Sequence, residues 1–252
     1  MAAQARNVTE AGGANSGGRD GPSVVLVYHG ISPAAKATGS RLLIDPAHLR
    51  SHVGYLRRRG CEFRTAEQLI AHADAGPPPG TAVLTFDDGW ADAVTVVAPL
   101  LEELGVRATF YVSPGRWGAQ QPDVDGEAGR LLSKGEAAGL AARGMELGSH
   151  SMTHPDLTKL DDAALRHELE ASKAAVEQLT GRPCRTFAHP FGLYDARVAR
   201  AAEDAGYELA FAWEPGEWQR FAAPRLPPPT RLGGWALGLK LRGIQKPRFL
   251  RR

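Results

Sequence analysis

The chain has 252 residues, 43% hydrophobic and 23% charged, enough to bury a full core as one α/β barrel or as two small domains. Its two cysteines, Cys61 and Cys184, stand far apart, which excludes a disulfide framework and a paired zinc-ligand spacing, and no apolar run is long enough to span a bilayer. The formal charge of +2 hides an asymmetry, because Trp218 to Arg252 holds nine Lys or Arg and no Asp or Glu.

In chain order, residues 1–22 lack the apolar core of a secretory signal and read as a disordered leader rich in Gly, Ala and Asn, which predicts a cytoplasmic protein. Short β-rich runs then alternate with longer helical patterns. The strands are expected at Ser23–His29, Thr81–Phe86, Arg107–Val112, Met145–His150, Arg185–Pro190 and Glu208–Trp213. Between them, helices are expected near Pro46–Arg59, Trp90–Leu104, Lys134–Arg143 and Arg197–Ala205. The clearest is Asp161–Thr180, where Leu165, Leu169, Val176 and Leu179 form an apolar stripe that Gly181 and Pro183 end. This alternation is the pattern of parallel strands joined by crossover helices. The tail, 232–252, mixes Trp235, Leu237, Leu239 and Leu241 with Lys240, Arg242, Lys246, Arg248, Arg251 and Arg252, a composition suited to the anionic inner face of a membrane or to a solvated basic tail. Nucleic acid is not expected, since aromatics are not interleaved with the charges.

Polar residues cluster where the expected strands stop: His29, Asp87 with Asp88, His150 and His189. In a parallel barrel such ends converge on the face where ligands bind. VLTFDDGW (Val83–Trp90) sets two adjacent carboxylates after an apolar strand, a surface Asp-Gly turn being the plainer reading. GSHSMTH (Gly148–His154) carries two histidines four residues apart, able to meet one cation if the chain turns helically there. With one carboxylate they make a His₂Asp set that leaves positions open for water and substrate, as a catalytic divalent-metal site requires.

TFDDG and HSMTH resemble the first two motifs of the polysaccharide deacetylase family, carbohydrate esterase family four, and the order of elements is similar from Val24 to Trp213. The resemblance implies a distorted (β/α) barrel of about seven parallel strands over residues 23–231. It implies Asp87 as general base, and Asp88, His150 and His154 as ligands of one divalent metal. Zn²⁺ is the first expectation, with Co²⁺, Ni²⁺ or Fe²⁺ as alternatives. FAHPFG (Phe187–Gly192) is similar to the family's third motif, so Pro190, Phe191 and Gly192 would border the oxyanion and the Phe191 amide would hold it.

Two departures stand out. Ala188 occupies the place of the family's base-orienting arginine, which resembles the branch acting on poly-N-acetylglucosamine. No histidine follows Phe191, so the family's late general acid is missing and His29, at the end of the first strand, is the candidate replacement. The implied substrate is an acetylated amino sugar within a soluble or lipid-linked saccharide. The alternatives are another amide, or sugar binding without catalysis.

Overall fold

The computed structural model describes residues 21–35, 40–122, 124, 126–213 and 216–244; most of the expected leader and the last eight residues of the expected tail lie outside them. Seven parallel strands form one curled sheet, the half-barrel of a distorted (β/α) barrel. They are β1 (Val24–Tyr28), β4 (Glu62–Arg64), β5 (Thr81–Phe86), β6 (Thr109–Val112), β7 (Glu146–Ser149), β8 (Thr186–Ala188) and β9 (Leu209–Phe211). Two short strands, β2 (Gly30–Ile31) and β3 (Leu43–Ile44), pair beside it.

The sheet runs β1-β5-β6-β7-β8-β9, with β4 also on β5. β1 and β5 are buried at every position, as expected of strands covered on both faces, and their register sets Tyr28 beside Phe86. The gap between β9 and β1 is bridged by residues 223–226. Ala223 exchanges backbone hydrogen bonds with β9, and Leu226 does so with Val25 and Val27 of β1.

The helices around the sheet follow from local chemistry. α4 (Asp162–Thr180) starts where the Asp161 carboxylate accepts the Ala164 amide and stops at Gly181, which takes a left-handed φ of 66°. Leu165, Leu169 and Val176 bury its inner stripe, each worth about 1.5–3 kcal/mol. α3 (Lys134–Ala142) opens with a reciprocal Ser133–Glu136 capping box. α1 (Pro46–Arg58) is capped by Asp45, and α5 (Ala196–Asp204) by Asp195. α6 (Gly234–Ile244) lies on α1, with Gly234 and Gly238 against Ser51 and Tyr55.

The helix expected at Trp90–Leu104 is shorter and begins later. A single π-helical turn, Ala93–Val97, leads into α2 (Ala98–Glu103). Trp90 is engaged elsewhere, bridged to Leu131 through the backbone, while the Asp92 carboxylate accepts the Ile31 amide instead of capping a helix. Both cysteines are free and buried. Among the described residues no helix is long and apolar enough to cross a membrane.

Candidate metal centre and its catalytic surroundings

Asp87 and Asp88 leave the end of β5, His150 leaves the end of β7, and a three-residue connection carries His154 back to the same face. The ligand atoms of Asp88, His150 and His154 lie within 4.8 Å of one another. Asp88 Oδ1 is 3.1 Å from His154 Nε2 and 3.5 Å from His150 Nε2. Donors bonded to one tetrahedral cation at about 2.0–2.2 Å sit about 3.3 Å apart, so these residues fit a divalent ion.

The rest of each ligand is tied down. His150 Nδ1 stands 2.7 Å from the Ala188 carbonyl, which can only accept, so Nδ1 carries the hydrogen and Nε2 presents its lone pair inward. Asp88 Oδ2 accepts from Gln121 Nε2 at 2.8 Å and Trp90 Nε1 at 3.3 Å, which turns Oδ1 toward the two imidazoles.

The loop between the histidines is not the helical turn expected. A helix would bond the His154 amide to the His150 carbonyl. Instead that carbonyl takes the Ser113 hydroxyl, the His154 amide goes to Ser151 Oγ, and Glu168 of α4 accepts both the Thr153 amide and hydroxyl. The only non-glycine residues with positive φ among those described are Asp88, Ser151, His154 and Phe191. Such conformations are held only where the surroundings over-determine them, and here all four border one site.

Asp87 faces different machinery. Its oxygens accept Arg225 Nη1 and Nη2 at 2.7 Å each, and the same guanidinium donates to Thr85 Oγ1 and the Ala212 carbonyl. Arg225 is 2% exposed and lies over the rings of Tyr111 and Phe211. A buried pair is sustained when its remaining hydrogens find acceptors, and two of the three left on this guanidinium do so here. Burial pushes the Asp87 carboxyl up, but Arg225 and then His150 outweigh it and hold the group below its ordinary value. Asp88 is likewise held well below the usual carboxylate range, its burial outweighed by His150 and His154. The two imidazoles diverge. Burial lowers both, yet the carboxylates outweigh it at His150 and raise it, whereas His154 stays lowered. The point the three ligand atoms face therefore draws positive charge, a demand a divalent cation answers.

Arg225 was not among the expected site residues; it falls among the nine basic residues of Trp218–Arg252. The available signal was an arginine inside the apolar, proline-flanked run Ala222-Ala223-Pro224-Arg225-Leu226.

The remaining expected residues lie around this centre. His29, half-buried at the end of β1, faces Trp213 with ring centroids 5.4 Å apart, and its charge contributes to holding down both aspartates. Phe191 sets its ring edge-on to His154 at 4.5 Å and is 53% exposed. The Gly192 and Leu193 amides turn back to the His189 and Pro190 carbonyls, and neither bond uses the Phe191 amide. Gly192 must be glycine: its φ is 67°, and a Cβ there would meet Trp213 at 2.2 Å. His189 is a core residue, bonded through Nε2 to the Phe221 carbonyl while its buried Nδ1 has no partner, and burial pushes it down to about 4.

A family model described as polysaccharide deacetylase matches residues 74–210, more than half of the chain. The chain belongs to that family. YxkH of Bacillus subtilis (strain 168) is 24% identical over 227 residues, covering 88% of this chain and 76% of that protein. A chitooligosaccharide deacetylase of Bradyrhizobium sp. (strain ANU 289) is 32% identical over 147 residues, 57% of this chain and 61% of that protein. Among solved structures, the Streptococcus pyogenes deacetylase PplD in complex with acetate superposes with a TM-score of 0.75 at 20% identity, over 90% of this chain and 99% of that one, a likeness of fold.

Proposed function

We propose that this chain hydrolyses the N-acetyl group of amino sugars in an oligo- or polysaccharide, or in a lipid-linked saccharide, with one divalent metal, zinc first, held by Asp88, His150 and His154. The observation that carries this reading is the meeting, at one strand-end face, of that metal-fitting triad with a second, separately paired carboxylate, Asp87. A structural metal site would have no use for the second carboxylate.

A cation bound there would polarise the acetyl carbonyl and make water more acidic. The chain's own groups do the rest. Asp87, kept ionised by Arg225, takes a proton from the water that attacks the carbonyl carbon. The Phe191 amide donates to the oxygen as it becomes anionic. His29 gives a proton to the nitrogen as the carbon–nitrogen bond breaks, leaving acetate and a free amine. Arg225 stands in for the orienting arginine absent at Ala188, and His29 for the missing late histidine. The exposed Phe191, Leu193 and Tyr194 offer an apolar border for a sugar ring.

The test is acetate release from N-acetylglucosamine oligomers by metal-reconstituted protein, beside a chelated sample. Release that chelation abolishes is expected. Stoichiometric metal with no acetate from any acetylated amino sugar would overturn the reading.

A further inference from the structure

The described residues expose six large apolar side chains, and they fall in two sets. Phe191, Leu193 and Tyr194 border the site; Leu232, Trp235 and Leu239 lie on or just before α6. The second set has no role in the chemistry above. α6 buries Ala236, Leu237 and Leu241, and its glycines bring its backbone onto α1. The approach to the helix is anchored as well. His48 and His52 of α1 contact the Thr230 and Leu232 carbonyls, and the second ring nitrogen of His52 meets the Tyr28 hydroxyl. With that face satisfied, Trp235 at 63% and Leu239 at 56% exposure point away from the fold, one helical turn apart.

The surrounding charge has one sign. Arg231, Lys240 and Arg242 are exposed beside these side chains, and Lys246, Arg248, Arg251 and Arg252 follow in the sequence with no acidic residue. A tryptophan and leucines framed by cations, on a helix already held by its other face, match what an anionic bilayer surface takes: rings and aliphatic chains at headgroup depth, with Lys and Arg at the phosphates. A second copy of the chain fits poorly, since self-association through this face would oppose like charges. We infer that Leu232, Trp235 and Leu239 of the α6 region, with Arg231, Lys240 and Arg242, dock the protein on an anionic phospholipid surface.

This is independent of the deacetylase reading and its test needs no substrate. The full chain is sedimented with vesicles of phosphatidylcholine alone and of phosphatidylcholine containing phosphatidylglycerol, at low and raised salt. The expected result is partition onto the anionic vesicles only, weakened by salt, and reduced tenfold or more in Trp235→Ala/Leu239→Ala, whose charge is unchanged. Because both side chains are exposed, that variant should melt with the parent, which a thermal scan checks. No partition onto anionic vesicles, or equal partition by the double variant, overturns the inference. So does a lipid-free dimer that the double variant abolishes, which would give this face to a second copy.

Discussion

Asp87 and Asp88 are neighbours in the chain with opposite surroundings. Asp88 looks toward His150 and His154, and its outer oxygen is held by Trp90 and Gln121, all from β5, β7 and the connections that follow β5, β6 and β7. Asp87 looks toward Arg225, which arrives from the segment that closes the gap between β9 and β1. The candidate metal side is thus built by short motifs at strand ends, whereas the Asp87 side depends on closure of the sheet. A motif can lose its arginine, as at Ala188, if the fold returns a guanidinium to the same carboxylate from elsewhere.

The sharpest way to break this contrast is to remove Arg225. Arg225→Met leaves Asp87 buried and unpaired, which should cost about 3–5 kcal/mol and lower Tm by about 10 °C or more. Adding Asp87→Asn to that variant should restore part of the loss, since no charge is then left alone. A double variant no more stable than Arg225→Met would deny the pairing its place in the fold.

His29 tests whether the acid also comes from an unexpected direction. His29→Ala should lower kcat roughly 10²-fold with metal content intact. Unchanged turnover would return His29 to a structural role. On the metal side, Gln121→Leu frees Asp88 Oδ2 and should weaken metal affinity about 10–100-fold, read by competition with a chelating dye; an unchanged affinity would mean that Trp90 suffices.

The smallest effect concerns a carboxylate outside both halves. Asp92 Oδ2 accepts the Ile31 amide while Oδ1 is buried without a partner, and burial pushes its pKa up to about 7. A carboxyl raised on folding favours the protonated state, so its penalty is absent below about pH 4, grows as pH rises, and is complete above pH ~7. Asp92→Asn should therefore raise Tm at about pH 8 and not at about pH 4. An equal change at both would place the effect elsewhere.

Much of the metal-facing side was legible because its signals are local. An apolar run ending in two carboxylates, and another ending in two histidines four apart, need only the parallel alternation of elements to be brought together. The conformation between the histidines was not legible. Four residues of spacing suit a helical turn, but Ser113 and Glu168, distant in sequence, claim the groups that turn would have used. β4 has three residues and no alternation to show itself, and 223–226 is extended chain whose identity as a closing segment depends on both neighbours. Arg225 was hidden for the same reason: as sequence it is one cation among nine, and only the closed sheet turns it inward.

The most direct test of this division of labour measures metal content and acetate release together in Asp87→Asn and Asp88→Asn. The account predicts that Asp87→Asn keeps stoichiometric metal and loses turnover by at least about 10²-fold, whereas Asp88→Asn loses both. Full turnover by Asp87→Asn, or loss of metal from it, would contradict the assignment of the two aspartates to separate tasks.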